Sequence, residues 1–438
     1  MQFHLLSFEG PDAYSRAGGL ATRVVGLAET LANLGFETHL WFIGDPGLPG
    51  HETHGLLHYH RWCQWVSKYH PCGVYDGEVG KAADYNASLP PYLLREVLLP
   101  RLEEDEQAVI LAEEWQTVDA VLHLHWLLRY AGLRERVSML WNANNTFGFE
   151  NIPWSRLAEA ATVTTVSRYM KHRMREIGVD ALVIPNGLTS DAFEAPGPLP
   201  VRELRRRFRN HTLLTKMARW DPDKHWIATI DLVAEMKRRN WRPLLVARGG
   251  NEPYGGEVLA TARAKGLEVI DRAACRPGPV ALLEALHQVE GADLVNLNSF
   301  VDPESRRLLF RGADAVLANS GHEPFGLVGL ETMAAGGLAC TGCSGEDYAV
   351  PGQNALVLET EDPHEFMALF RGLRSHPARA QQLRRAGRST ARRYAWPEII
   401  EGVLLPRVEL PDTESYESLP PPLRRVRGTA ATALQKVG

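Results

Sequence analysis

Phe3-His4-Leu5-Leu6-Ser7 is an apolar run of strand length, followed by a loop that ends in Gly18-Gly19. Leu20, Val24, Leu27, Leu31 and Leu34 then recur at steps of four, three, four and three, which places them on one face of a helix. Gly35 stands where a helix ends in a left-handed residue, and Thr38 to Ile43 reads as a second strand. Strand, glycine turn, helix and strand form a βαβ unit, so the spacing predicts a parallel α/β sheet.

The same alternation continues outward from this unit. Ala108 to Ala112, Ser138 to Trp141, Thr162 to Val166 and Ala181 to Ile184 are further strand candidates. A basic helix is expected around Arg168 to Ile177, and Pro185-Asn186-Gly187 is a turn. The stretch from about 44 to 105 reads as less regular, rich in Pro, Gly, His and aromatic residues. Arg202 to Arg209 holds five arginines in eight residues, the pattern of a solvated helix face beside a linker. A second series of strand candidates follows: Thr212 to Ala218, Pro243 to Ala247, Leu267 to Ile270, Asp293 to Leu297, Ala315 to Ala318, Leu338 to Thr341 and Ala355 to Leu358. The chain thus reads as two Rossmann-like halves, 1–200 and 201–390. A helical stretch over 391–410 and an appended tail over 411–438 complete it.

Composition narrows the function. With 438 residues, 45% hydrophobic and 23% charged, the chain can bury the cores of two to three domains. The net charge of −5 argues against nucleic acid as a partner. The charge is uneven: 15 basic against 24 acidic residues in 1–200, but 33 against 29 in 201–438. An anionic ligand is therefore expected on the second half, and a neutral or cationic soluble acceptor on the first. Five cysteines at irregular spacing suit reduced thiols. Met1 to Leu5 has no secretory pattern and no apolar run reaches a membrane span, so a cytoplasmic protein without integral membrane contact is expected.

The residues with the strongest chemical content are Glu323-Pro324-Phe325-Gly326-Leu327-Val328-Gly329-Leu330-Glu331, directly after a strand candidate. Pro324 suits a helix's first turn, and the following amides would face the carboxyl edge of the sheet, where phosphate binds. Glu323 and Glu331 would flank that site as acceptors for sugar hydroxyls. Arg219-Trp220-Asp221-Pro222-Asp223-Lys224 follows another strand at the same edge. Arginine supplies a planar fork and lysine a mobile charge, a fitting pair for a diphosphate.

In these motifs, together with Gly18-Gly19, Val166-Ser167-Arg168, Pro185-Asn186-Gly187 and Tyr394-Ala395-Trp396, the sequence resembles the retaining glycosyltransferases of family four, also termed group 1. The resemblance runs in order over roughly residues 3–405. It implies the α/β GT-B architecture, two Rossmann-like domains facing a central cleft, with residues 391–410 crossing back onto the first. It also implies transfer of a hexose from a nucleotide diphosphate sugar, UDP-glucose-like by first guess, to a soluble sugar or small hydroxyl acceptor. Arg219 and Lys224 match the phosphate clamp, Glu323 the glutamate beside the transferred sugar and Glu331 the ribose ligand. Phe325, Gly326 and Leu327 match the amides on sugar and phosphate, and Gly18 and Gly19 the loop over the donor phosphates. No metal or other cofactor is implied. Two departures concern the acceptor side. Asn142 and Asn144 stand where a histidine is usual, and Glu113-Glu114-Trp115 resembles a His-Asp-Trp loop that has lost its histidine. The alternatives are a GT-B-type sugar-nucleotide epimerase and a catalytically silent relative that binds nucleotide sugars.

Other features carry less. His51, His54, His58, His60, Cys63, His70 and Cys72 match no zinc spacing. Trp62, Trp65, Tyr69, Tyr75 and Tyr85 could stack on a sugar or pack within a loop.

Overall fold

A computed structural model describes residues 1–103 and 106–408; the expected tail over 411–438 lies outside the described residues. The first sheet contains β1 (Gln2–Leu6), β2 (Glu37–Ile43), β3 (His51–His54), β4 (Leu57–Trp62), β5 (Ala108–Glu113), β6 (Val137–Ala143), β7 (Thr162–Thr165) and β8 (Leu182–Val183). Their order is β3-β4-β2-β1-β5-β6-β7-β8, parallel except for the antiparallel β3–β4 pair. β1, β2 and β5 are buried along nearly their whole length, as expected for central strands covered on both faces.

The second sheet contains β9 (Thr212–Met217), β10 (Pro243–Arg248), β11 (Val269–Arg272), β12 (Leu294–Leu297), β13 (Ala315–Leu317), β14 (Ala339–Thr341) and β15 (Leu356–Val357), in the order β11-β12-β10-β9-β13-β14-β15. In both sheets the chain order reverses beside a central strand, between β1 and β5 and between β9 and β13. Open α/β sheets bind ligands outside the carboxyl ends of strands at such switch points.

The region expected to be irregular is the main correction to the fold. It contains the β3–β4 hairpin and a helix at Glu78–Tyr92 that runs through Pro90 and Pro91 into a π-helical turn, Leu93–Leu98. Proline at 90 leaves the carbonyl of Asn86 without its helical donor, and His123 Nδ1 meets that oxygen at 3.2 Å. A partner from a neighbouring helix thus compensates for the broken ladder, which sequence spacing cannot show. The arginine run is also more than a solvated face. Within the helix Pro198–Arg207, Arg205 Nη2 donates to the carbonyl of Arg311 at 2.8 Å, and Arg207 donates to that of Leu283.

The end of the chain returns to the first half. Trp396 is fully buried, and a methyl group on Gly26 or Gly187 would lie 2.5 or 2.4 Å from its indole. Leu188 N donates to Tyr394 O at 2.7 Å and Trp396 N to Leu188 O at 3.0 Å. The glycine of Pro185-Asn186-Gly187 is therefore a packing requirement.

Candidate active site

At the carboxyl edge of the second sheet, the loops after β9 and β13 are tied together. Asp221 accepts from Asp223 N at 2.9 Å and so closes the turn Pro222–Lys224. Asp223 in turn receives Gly321 N on its carbonyl at 2.8 Å and His322 N on its carboxylate at 2.9 Å. This lacing places Lys224 Nζ 2.8 Å from Glu323 Oε2, with the two side chains 18% and 20% exposed. Glu323 N donates to Ser344 Oγ at 3.0 Å, which fixes the loop from the β14 side. Arg219 is exposed at the same edge and makes no ion pair among the described residues.

A second lysine lies beneath this pair. Lys216, in β9, is fully buried and donates to Asn319 O at 3.1 Å and Asn319 Oδ1 at 3.3 Å. Burial pulls its ammonium down to about 7, with a smaller push from the nearby Lys224 charge. It had no signal in the sequence beyond being a charged residue in an apolar strand.

The helix after β13 spans Leu327–Ala334 with Gly326 as its N-cap. Pro324 therefore precedes the helix and does not stand in its first turn, a shift of three residues from expectation. Gly326 has an ordinary φ of −62°, so its glycine serves close approach: a methyl there would lie 2.6 Å from Glu346 Cγ. Phe325 is buried, its ring centroid 6.0 Å from that of Tyr348 and 6.1 Å from that of Tyr394. It can offer a ligand its backbone but not its ring. Glu331 lies one turn inside the helix, 3.2 Å from Arg306 Nη2. Burial raises its carboxyl pKa, and Arg306 offsets part of the rise.

Glu346 was not found from the sequence. It is buried, neither carboxyl oxygen has a hydrogen-bond partner, and its pKa rises to about 8 through desolvation and the Glu323 charge. Burial and the Glu323 charge thus favour the protonated form of this carboxyl.

Across the cleft, the first sheet presents carboxylates. Glu9 Oε2 accepts from the amides of Ala17, Gly18 and Ala21 at 3.1, 3.0 and 3.1 Å, while its Oε1 accepts from Tyr75 at 2.7 Å. The Gly18 amide is thus already engaged, and Gly19, the first residue of the helix Gly19–Asn33, faces the second domain. A methyl on Gly19 would stand 3.8 Å from Leu327 Cδ1. Glu113 is buried; its Oε1 accepts from Arg23 Nε at 2.9 Å, and its Oε2 from Asn142 and Asn144 at 2.8 and 2.7 Å. Arg23 also reaches Asn186 Oδ1 at 2.8 Å. Asn142 additionally accepts from Thr164 at 3.0 Å and is buried, so it orients Glu113 from within, whereas Asn144 is partly exposed.

Glu114 adopts a left-handed φ of 68° and accepts from Asn144 N at 2.7 Å; burial pushes its carboxyl up to about 8. Trp115 follows it, half-buried against Gly148. Of the aromatic candidates, Tyr85 belongs to the core and bonds Trp41 O, while Trp65 and Tyr69 are exposed. The two domains meet at Arg168, whose amide donates to Asp347 Oδ2 at 2.7 Å and whose Nε lies 3.4 Å from Oδ1. No helix among the described residues is long and apolar enough to cross a membrane.

Residues 279–390 match the profile of the family described as glycosyl transferases group 1. Two D-inositol 3-phosphate glycosyltransferases are similar in sequence. That of Xylanimonas cellulosilytica is 32% identical over 32% of this chain and 34% of its own length. That of Segniliparus rotundus is 24% identical over 42% and 40%. The chain therefore spans between a third and two-fifths of these curated relatives. Among solved structures, sucrose-phosphate synthase from Thermosynechococcus elongatus aligns over 93% of this chain and 98% of its own. Its TM-score is 0.63 and its identity 17%. Anabaena HepE in complex with UDP and glucose aligns over 96% and 100% with TM-score 0.60 and 15% identity. The E. coli protein bound with UDP-2-fluoro glucose aligns over 93% and 98% with TM-score 0.62 and 14% identity. Two Rossmann-like sheets thus give the chain the GT-B fold of these solved structures, and its residues 279–390, which run from before β12 through β15, are similar to the group 1 glycosyl transferases.

Proposed function

We propose that the protein transfers a hexose from a nucleotide diphosphate sugar to a hydroxyl acceptor with retention of configuration. The observation that carries this reading is the Lys224–Glu323 pair, 2.8 Å apart at the second switch point and next to the amino end of the helix Leu327–Ala334. A diphosphate placed there meets Lys224, the free guanidinium of Arg219 and the helix amides. Glu323, released from part of its interaction with Lys224, is left beside the sugar. Leaving-group charge then develops against cations and amides already in position, which stabilises the transition state without any side chain attacking the sugar. The departing phosphate oxygen takes the acceptor's proton on the same face, which retains configuration. Glu331 holds the ribose, and the transfer proceeds without a metal.

UDP-glucose is the donor tested first, because HepE and the E. coli neighbour are named with UDP and glucose or a fluoro analogue. The acceptor belongs to the first-domain edge that carries the buried Glu9, Glu113 and Glu114, in a half whose excess of acidic residues favours a neutral or cationic hydroxyl compound. The five unpaired thiols fit a reducing, cytoplasmic setting for this chemistry. The experiment is a thermal-shift panel of nucleotide sugars followed by product analysis with the donor that stabilises most. Stabilisation together with transfer, or slow donor hydrolysis, supports the proposal. Stabilisation without turnover over a broad acceptor panel, or conversion to an epimeric nucleotide sugar, overturns it.

A further inference from the structure

The loops that follow β7 and β14, at the carboxyl edges of the two sheets, meet across the cleft. Ser167 caps the helix Arg168–Arg175 by accepting from Met170 N at 3.1 Å. The Arg168 amide, another of the donors that a helix start leaves free, is taken by the second domain: it donates to Asp347 Oδ2 at 2.7 Å. Arg168 Nε lies 3.4 Å from the other oxygen of that carboxylate. The helix has no acidic residue in its own first turn, so Asp347 supplies the anion that favours the positive end of its dipole. The Arg168 side chain is 71% exposed, and an ion pair so open to water adds little. Asp347 is only 18% exposed, and its partner at 2.7 Å is a backbone amide fixed by the helix. Among the described residues no other hydrogen bond or ion pair joins the two carboxyl edges.

The neighbours of Asp347 hold the loop of Glu323. Ser344 Oγ accepts from Glu323 N at 3.0 Å. A methyl on Gly345 would collide with the carbonyls of Glu323 and Pro324, and Glu346 lies against Gly326. The buried Tyr348 donates its hydroxyl to Gly326 O. Its ring is also 5.9 Å from that of Tyr394, whose carbonyl accepts from Leu188 N where the chain crosses back. Within 344–348, four residues thus press on 323–326 and the fifth reaches the first domain. Packing this close passes a displacement of one member to the others.

We propose that Asp347 is a positioning residue for sugar transfer: seated on the amino end of the helix Arg168–Arg175, it fixes 344–348, and through it the Glu323 loop, relative to the first domain. Asp347 acts through Glu323 and not on the sugar. Its effect on rate rests on the transfer function proposed above; the coupling between the two loops needs no substrate. Sequence spacing could not reveal it, because the amide and its acceptor are 179 residues apart.

Hydrogen exchange of the full chain reads the coupling without any sugar. In Asp347→Ala the Arg168 amide should lose its protection, and the peptide covering 320–328 should exchange about tenfold faster, while β9 stays as in the wild type. Asp347→Asn keeps an acceptor for the amide and should recover most of both effects. Arg168→Ala keeps the amide itself and should leave 320–328 near the wild type. With UDP-glucose as donor, Asp347→Ala should lower kcat about tenfold, and UDP binding by calorimetry should change less than about threefold, because Lys224 and Arg219 are untouched. Faster exchange around Arg168 alone, faster exchange of β9 as well, or wild-type kcat in Asp347→Ala would each overturn the proposal. Coupled exchange in a protein that transfers sugar from no donor would support the tie and count against the transfer function instead.

Discussion

Glu346 offers the most direct test of the electrostatics behind the candidate site. Its carboxyl is buried, lacks hydrogen-bond partners and faces the Glu323 charge, so its pKa moves from the usual carboxylate range to about 8. In the unfolded chain the same group titrates near 4.5. Between those values the folded protein holds a proton that the unfolded chain has lost. Stability therefore falls as pH rises through this window, with a slope of ~1.4 kcal/mol per pH unit from this one group. Glu346→Gln keeps the size and removes the titration. Integrated from pH 5.5 to 8, the wild type should lose roughly 3 kcal/mol relative to Glu346→Gln, the slope flattening as the folded pKa is reached. Urea unfolding of both proteins by tryptophan fluorescence at half-unit pH steps measures that difference. If the two stability profiles run parallel across the window, Glu346 is ionised in the folded state and the argument from its burial is wrong.

Three further expectations concern activity and packing. Lys224→Ala and Arg219→Ala should each raise the transfer barrier by about 2–4 kcal/mol while leaving the unfolding midpoint nearly unchanged; steady-state rates at the wild-type level in either variant would remove the clamp assignment. Glu331→Ala should chiefly raise the donor KM and Glu323→Ala chiefly lower kcat, whereas equal kcat in Glu323→Gln and wild type at saturating donor would show that Glu323 only positions. Trp396→Ala should cost about 3–5 kcal/mol, because the indole fills the space left by Gly26 and Gly187; denaturant melts with a loss below 1 kcal/mol would mean that the crossing segment contributes little.

Local periodicity carried the architecture because central parallel strands and their helices are spelled out within ten to fifteen residues. Leu20 to Leu34 shows its apolar face directly, and Leu244 to Ala247 in β10 and Ala315 to Leu317 in β13 are apolar runs. The Glu78–Tyr92 helix was illegible for the opposite reason. The carbonyl that Pro90 leaves open, that of Asn86, is met by His123, 37 residues further along the sequence. Arg219 and Lys224 could be named as candidates because they stand two and seven residues after the end of β9. Lys216, Glu346 and Glu9 could not, since what distinguishes them is burial and partners supplied by distant loops. Pro324 misled by one helical turn: the backbone between Glu323 and Gly326 is held by Ser344 and packed against Gly345, where a methyl would lie 2.1 Å from Glu323 O. Those contacts delay the helix to Leu327.

The two edges of the cleft solve the same backbone problem in opposite ways, and that difference underlies the proposed place of the donor. A helix beginning at a switch point leaves amides that need acceptors. In the first domain the protein supplies its own: Glu9 takes the amides of Ala17, Gly18 and Ala21 and is itself held by Tyr75. In the second domain Glu323, three residues before the N-cap Gly326, turns to Lys224 instead, and burial raises the carboxyl pKa of the nearby Glu346. No side chain caps the helix Leu327–Ala334, so its first amides stand beside the Lys224–Glu323 pair without a carboxylate bonded to them. A diphosphate entering the first edge would have to displace Glu9 from three hydrogen bonds and stand beside Glu113. At the second it need only share Lys224 with Glu323. The charge difference between the halves, diffuse in composition, becomes at these two loops a difference in who holds the amides, and the proposed placement of the donor on the second sheet rests on it.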